Sequence, residues 1–144
     1  MMISQTLLVA ARPFGEQLDA ERVAAALAEG LRDGGWEVDP CPFEADLDET
    51  AAVALARGAE FETRMRAARA VVIVEPQLDE QTLAGTVAFE IATRARQGGV
   101  PAYAVTREDC LDSFDARILD LQTILQARTH RSLLKAGREL AGLV

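Results

Sequence analysis

AARAVVIVEPQLDEQTLAGTVAFEIATRARQGGVPAYAV, residues 67–105, is the stretch that decides the fold. Its VVIV run (71–74) is β-branched throughout and apolar on both faces, the mark of a central strand covered on both sides, as in parallel sheets. Glu75, Pro76 and Gln77 read as the loop that leaves it. Asp79 or Thr82 is placed to cap the next helix, in which Val87, Ile91 and Ala95 recur on one face, and Gly98 and Gly99 close it. Residues 101–105 form the following strand. Strand, helix and strand in that order make a parallel crossover unit, which is right-handed.

The pattern repeats outward. TLLVA (6–10) is a short buried strand, and Arg12-Pro13-Phe14-Gly15 breaks it. Asp19 caps a helix that sets Val23, Ala26, Leu27 and Leu31 on one face and ends at Gly34 and Gly35. Trp36, Glu37, Val38 and Asp39 alternate as a strand near the sheet edge, which Pro40 and Pro42 are expected to stop. Residues 47–68 read as one or two helices packing through Val53, Ala56, Phe61, Met65 and Ala68. Residues 117–121 suggest a fifth strand, and 131–143 a closing helix with Leu133, Leu134, Leu140 and Leu143. The expected fold is therefore α/β: a three-layer, doubly wound, mostly parallel sheet of about five strands in flavodoxin-like order, as a single domain over 1–144. Ligands of such sheets bind beyond the C-terminal strand ends, which puts loops 12–17, 41–50, 75–81 and 106–112 on the functional rim.

Composition narrows the function. The chain is 49% hydrophobic and 26% charged with a net charge of −8, so it is globular and unsuited to nucleic acid or anionic membranes. Fourteen of its fifteen basic residues are arginine, and Lys135 is the only lysine. Cys41 and Cys110 have no metal-ligand spacing and read as free thiols. No stretch of membrane-spanning length and no secretory leader pattern is present, so a cytoplasmic location is expected.

Three stretches resemble the bacterial glycerate kinases. LLVAARPFGEQLDAERVAAALAEGLRDGG (7–35) is similar to the opening strand, A-P-D-S-F-K-G-S-L loop and helix of that family. CPFEADLDET (41–50) aligns with its C-P-x-A-D-G-G-E-G-T. Residues 67–105 resemble A-D-L-V-I-T-G-E-G-R-L-D-x-Q-T-x-x-G-K and the G-V-P-V strand, with Leu78, Asp79, Gln81, Thr82, Leu83 and Gly85 in place. The resemblance covers about 1–50 and 60–144. Between those blocks the family carries a whole second domain, so it implies a short helical linker here, near 51–61, in place of that domain. The family's activity is ATP- and Mg-dependent phosphorylation of glycerate between the two domains.

Carried over residue by residue, the phosphate-handling positions are lost. The first loop's acidic residue, serine, lysine and glycine fall on Arg12, Pro13, Gly15 and Glu16, while Phe14 and Leu18 match. The Asp-Gly-Gly-Glu-Gly run falls on Ala45, Asp46, Leu47, Asp48 and Glu49. Glu75 is kept, but its flanking glycines become Val74 and Pro76, the arginine becomes Gln77, and the lysine after Gly85 becomes Thr86. Glycine loops bind phosphate through bare backbone N–H groups, and a transferring phosphoryl group needs cations. The expectation is a catalytically inactive domain with a binding or scaffold role, no catalytic or metal residues and no cofactor. The alternative is an active kinase or phosphate-binding enzyme using ATP and Mg at a rebuilt site.

The candidate ligand-binding residues on the rim are Arg12, Phe14, Glu75, Gln77, Asp79, Gln81 and Thr82. Glu75 with Asp79 is either a carboxylate pair or Mg²⁺ site, or a solvated loop glutamate beside a helix cap. Arg12 binds a small anionic metabolite with Gln77, or, as the favoured reading, pairs with Glu75 and plugs the old site. The run Glu44, Asp46, Asp48, Glu49 is a cation site or, as favoured, a solvated face. His130 reads as a surface residue at a helix start. The expected partners are a second copy, because loss of a domain uncovers apolar surface, or a chain supplying the missing domain.

Overall fold

Backbone pairing joins the apolar runs into one five-stranded sheet in which all four strand pairs are parallel, in the order β2-β1-β3-β4-β5. The computed structural model describes residues 4–144. The strands are β1 (Thr6–Ala11), β2 (Glu37–Pro42), β3 (Ala70–Leu78), β4 (Ala102–Asp109) and β5 (Leu121–Gln126). The helices are α1 (Ala20–Asp33), α2 (Glu49–Ala56), α3 (Ala59–Ala67), α4 (Val87–Gln97), α5 (Ser113–Leu119) and α6 (His130–Ala141), with one 3₁₀ turn at Glu80–Leu83. This is the flavodoxin-like order expected from the crossover pattern, with VVIV at its centre.

Alternation along the strands feeds two cores. Leu7, Val9, Val72, Val74 and Val105 face α1 and α6, meeting Val23, Leu27, Leu31, Leu133 and Leu140. Leu8, Ala10, Val71 and Ile73 face the other way, against Ala56, Phe61, Met65, Val87, Ile91 and Ala95 of α2, α3 and α4. Burying a side chain of this size stabilises by about 1.5–3 kcal/mol, so the two covered faces carry the fold. On the first face α1 and α6 pack with Gly30 and Gly137 in direct contact. A Cβ added to Gly137 would overlap the Leu27 carbonyl oxygen and lie 3.0 Å from the Gly30 Cα.

Several boundaries differ from those expected, each for a local reason. Pro40 and Pro42 do not stop β2, which runs through both. Glu37 and Phe43 direct their N–H groups at β1, so the even-numbered positions between them face outward from the sheet edge, where a missing N–H breaks no ladder bond. Likewise Glu75, Pro76 and Gln77 are not a loop but the end of β3, paired with β4 at Glu75↔Thr106 and Gln77↔Glu108. Val74 faces β1, its carbonyl accepting the Arg12 N–H; Pro76 faces the same way, beyond the end of β1. β4 itself continues through Thr106 to Asp109, positions read as loop.

Neither Asp79 nor Thr82 caps the helix of Val87. They close a capping box on the 3₁₀ turn, and Thr86 caps α4 by accepting the Phe89 N–H. Residues 117–121 are not the fifth strand: they end α5, whose C-cap Asp120 is left-handed at φ 53°, and β5 begins at Leu121. Leu143 is exposed rather than packed. Residues 51–61 hold the end of α2, a turn at Arg57 and Gly58, and the start of α3. Among the described residues no helix is long and apolar enough to cross a membrane.

Candidate functional site

The C-terminal end of β3, carried past its neighbour β1, forms one wall of an open cleft of about 520 Å³. Glu49, Glu75, Gln77, Asp79, Gln81, Thr82, Ala84 and Thr86 line it. Five of the seven rim residues expected from the sequence are thus brought together, and Arg12 and Phe14 are not among them. Gly85, retained from the family motif, turns the chain at φ 80° between the 3₁₀ turn and α4, a conformation that L side chains rarely adopt.

Asp79 is held within the protein by three hydrogen bonds. One of its oxygens accepts the N–H groups of Gln81 (2.9 Å) and Thr82 (3.2 Å), and the other accepts the Gln77 amide at 3.1 Å. It caps the 3₁₀ turn rather than the helix of Val87, and each of its oxygens already accepts a hydrogen bond. Glu75 is not a solvated loop residue. It is half-buried at the cleft floor, opening on the cavity but enclosed on its other sides. Burial pushes its carboxyl up to about 8; Glu49 pushes the same way and Arg12 opposes. No hydrogen bond from a described residue reaches it. At neutral pH Glu75 is therefore mostly a carboxylic acid, an O–H donor aimed into the cleft.

The expected Arg12–Glu75 pair does not form. The Arg12 side chain, 13% exposed, turns to the opposite loop and donates to the carbonyls of Phe43 (3.0 Å), Glu44 (3.1 Å) and Leu47 (3.0 Å), with Glu49 at 3.7 Å. Three loop carbonyls, of which only that of Glu44 has another backbone partner, hold Arg12 in place of the Glu75 carboxyl. The cleft is open rather than plugged. Removing Arg12 would strip partners from three carbonyls, a larger loss than the 0–1 kcal/mol typical of a surface pair. Phe14 is 4% exposed and belongs to the core beside α1.

The acidic run is more than a solvated face. Glu44 accepts the N–H groups of Ala20 and Glu21 at the start of α1, Asp48 caps α2 through the Ala51 N–H, and Glu49 accepts the Val87 N–H at the start of α4. Three helix N-termini find partners in three carboxylates within residues 44–49, where the helix dipole favours negative charge. Glu49 and Thr86 are the polar cleft residues that sequence reasoning left out of the rim site, beside Ala84; a Thr just before an apolar-periodic run was the available signal for Thr86. The cleft lining holds no arginine or lysine, so the anionic metabolite expected on Arg12 and Gln77 fits it poorly. His130 begins α6 and is exposed, and both cysteines are free.

Among known proteins, the model of the glycerate kinase family matches residues 41–136. No curated protein matches the chain significantly. Solved structures share the fold at low identity. An oxidoreductase from Corynebacterium diphtheriae aligns with a TM-score of 0.55 at 12% identity, over 98% of this chain and 97% of that one. A de novo designed Rossmann 2x3 protein gives 0.53 at 8%, over 98% and 91%. The diflavin flavoprotein A3 from Nostoc sp. gives 0.51 at 16%, over 99% and 94%.

Proposed function

The chain belongs to the glycerate kinase family, and from that premise we propose that it is a non-catalytic member whose rim cleft binds a small hydroxylated ligand without phosphoryl transfer. The observation that carries this reading is the chemistry of the cleft lining: carboxyl, amide and hydroxyl groups with no cation. The residues present do not fit ATP and Mg. Pro76 offers no N–H to a phosphate, Asp79 has both oxygens engaged, and Lys135 is exposed on α6 outside the cleft. A ligand hydroxyl suits the same groups, since it accepts from neutral Glu75 and donates to the Gln77 carbonyl oxygen.

Purified protein is expected not to phosphorylate glycerate with Mg-ATP. Turnover above that of an Arg12→Ala, Glu75→Ala double variant, in an assay coupled to ADP release, would overturn the proposal. The ligand class is tested by thermal shift with glycerol, sugar alcohols and glycerate, since a ligand of the native state raises the melting temperature. Protection by glycerate alone would restore the anionic reading.

Association is proposed alongside, as a homodimer. Pro40, Phe43, Leu55 and Phe61 line a groove of about 450 Å³ between β2, α2 and α3, and Leu55 is 53% exposed. The groove lies at the 51–61 join, where the family's second domain would emerge, and a second copy covering it removes that apolar surface from water. Light scattering at micromolar concentration should give twice the 15.5 kDa chain mass; a monomer mass rules the dimer out.

A further inference from the structure

A second cleft on the same rim is basic where the first is acidic. It measures about 530 Å³ and is bounded by loop residues 14–18, by Arg107 near the end of β4, and by Arg128, Thr129 and His130 at the start of α6. We propose that this cavity is a separate site for a tetrahedral oxyanion, either free phosphate or the phosphate group of a monoester. Its two arginines come from different strand ends and converge within a protein of net charge −8. Arg107 is half-buried and has no carboxylate at ion-pair distance among the described residues. Arg128 has only Glu108, at 3.7 Å.

The surrounding backbone suits the same charge. Gly15, at φ 78°, lies against Arg107, whose guanidinium would be in ordinary contact, at 3.4 Å, with a Cβ there. At the start of α6 the capping box uses the N–H groups of Arg128, Thr129 and Ser132. The next two, on His130 and Arg131, have no acceptor among the described residues. Glu16 is the one carboxylate in the lining, and it is exposed. Two guanidinium groups, a ring nitrogen donor and free helix N–H groups together match the oxygens of a phosphate. The cavity lies beyond the C-terminal strand ends, where ligands of such sheets bind.

The test is isothermal calorimetry on the full chain with inorganic phosphate, methyl phosphate and malonate, each against chloride at matched ionic strength. Phosphate or methyl phosphate should bind and malonate should bind less well. Tighter binding of methyl phosphate assigns the site to a phosphorylated ligand, and tighter inorganic phosphate to the free ion. Arg107→Ala and Arg128→Ala should each weaken binding about tenfold, while Arg66→Ala, which removes an exposed charge on α3, should not. If Arg107→Ala fails to fold by circular dichroism, Arg107→Gln takes its place. Binding no stronger than with chloride, or binding that survives in the Arg107, Arg128 double variant (an adventitious ion only), overturns the proposal.

Discussion

Replacing Glu75 with glutamine is expected to raise the melting temperature by roughly 10 °C at pH 8.5–9 and to change it little near pH 4. The carboxyl is raised to about 8 in the folded chain from an ordinary value of 4.5. Below 4.5 it is protonated in both states and costs nothing. As pH climbs through 4.5–8 the unfolded chain ionises while the folded one stays neutral, so folding grows steadily less favourable; above 8 the full penalty is present. That penalty is on the order of 3–5 kcal/mol, reduced to the extent that the cleft lets water reach the carboxyl. Glutamine keeps the shape and the polarity but never ionises. Melting curves of both proteins from pH 4 to 9 decide the point: a difference that does not grow with pH would mean the carboxyl is well solvated.

The second large effect is mechanical. Gly137→Ala should destabilise the protein by about 2–4 kcal/mol, although alanine is the better helix former by nearly 1 kcal/mol. The new methyl meets backbone on the facing helix, at Leu27 and Gly30, and no flexible side chain is there to give way. α1 and α6 must then separate, opening the contacts among Leu27, Leu31, Leu133 and Leu140. Gly142→Ala is the matched control: its Cβ would find only the Glu139 carbonyl, at 3.6 Å, and urea unfolding should show it nearly neutral. A neutral or stabilising Gly137→Ala would show that helix propensity, not close approach, governs Gly137.

Both effects turn on features legible in the sequence to different degrees. The doubly wound sheet could be read because runs such as VVIV and TLLVA are apolar on both faces and separated by helices with one apolar stripe. The strand ends could not. Pro40, Pro42 and Pro76 look like terminators until the neighbouring strand is known to lie on their other side. The 117–121 segment reads as a strand but holds the end of the seven-residue helix α5, which Asp112 caps and Asp120 ends, with only Leu121 in β5. At the site, Asp79, Gln77 and Thr82 fall together because they are close in sequence around one turn. Arg12 did not follow expectation, since its partners are backbone carbonyls 31–35 residues away, and no side-chain pattern announces them. Gly30 and Gly137 did leave a trace: a glycine inside a helix costs stability and asks for a packing reason.

The two prolines of β2 also bear on how the protein behaves when crowded. Their missing N–H groups lie on the open side of that edge, which keeps only the Val38 N–H to offer an incoming strand. β5, at the opposite edge, reads LQTILQ, with neither proline nor charge. A sheet with two receptive edges can add molecules without limit and grow into a fibre. With one receptive edge, joining β5 to β5 uses up that edge on both molecules, and growth terminates at the pair.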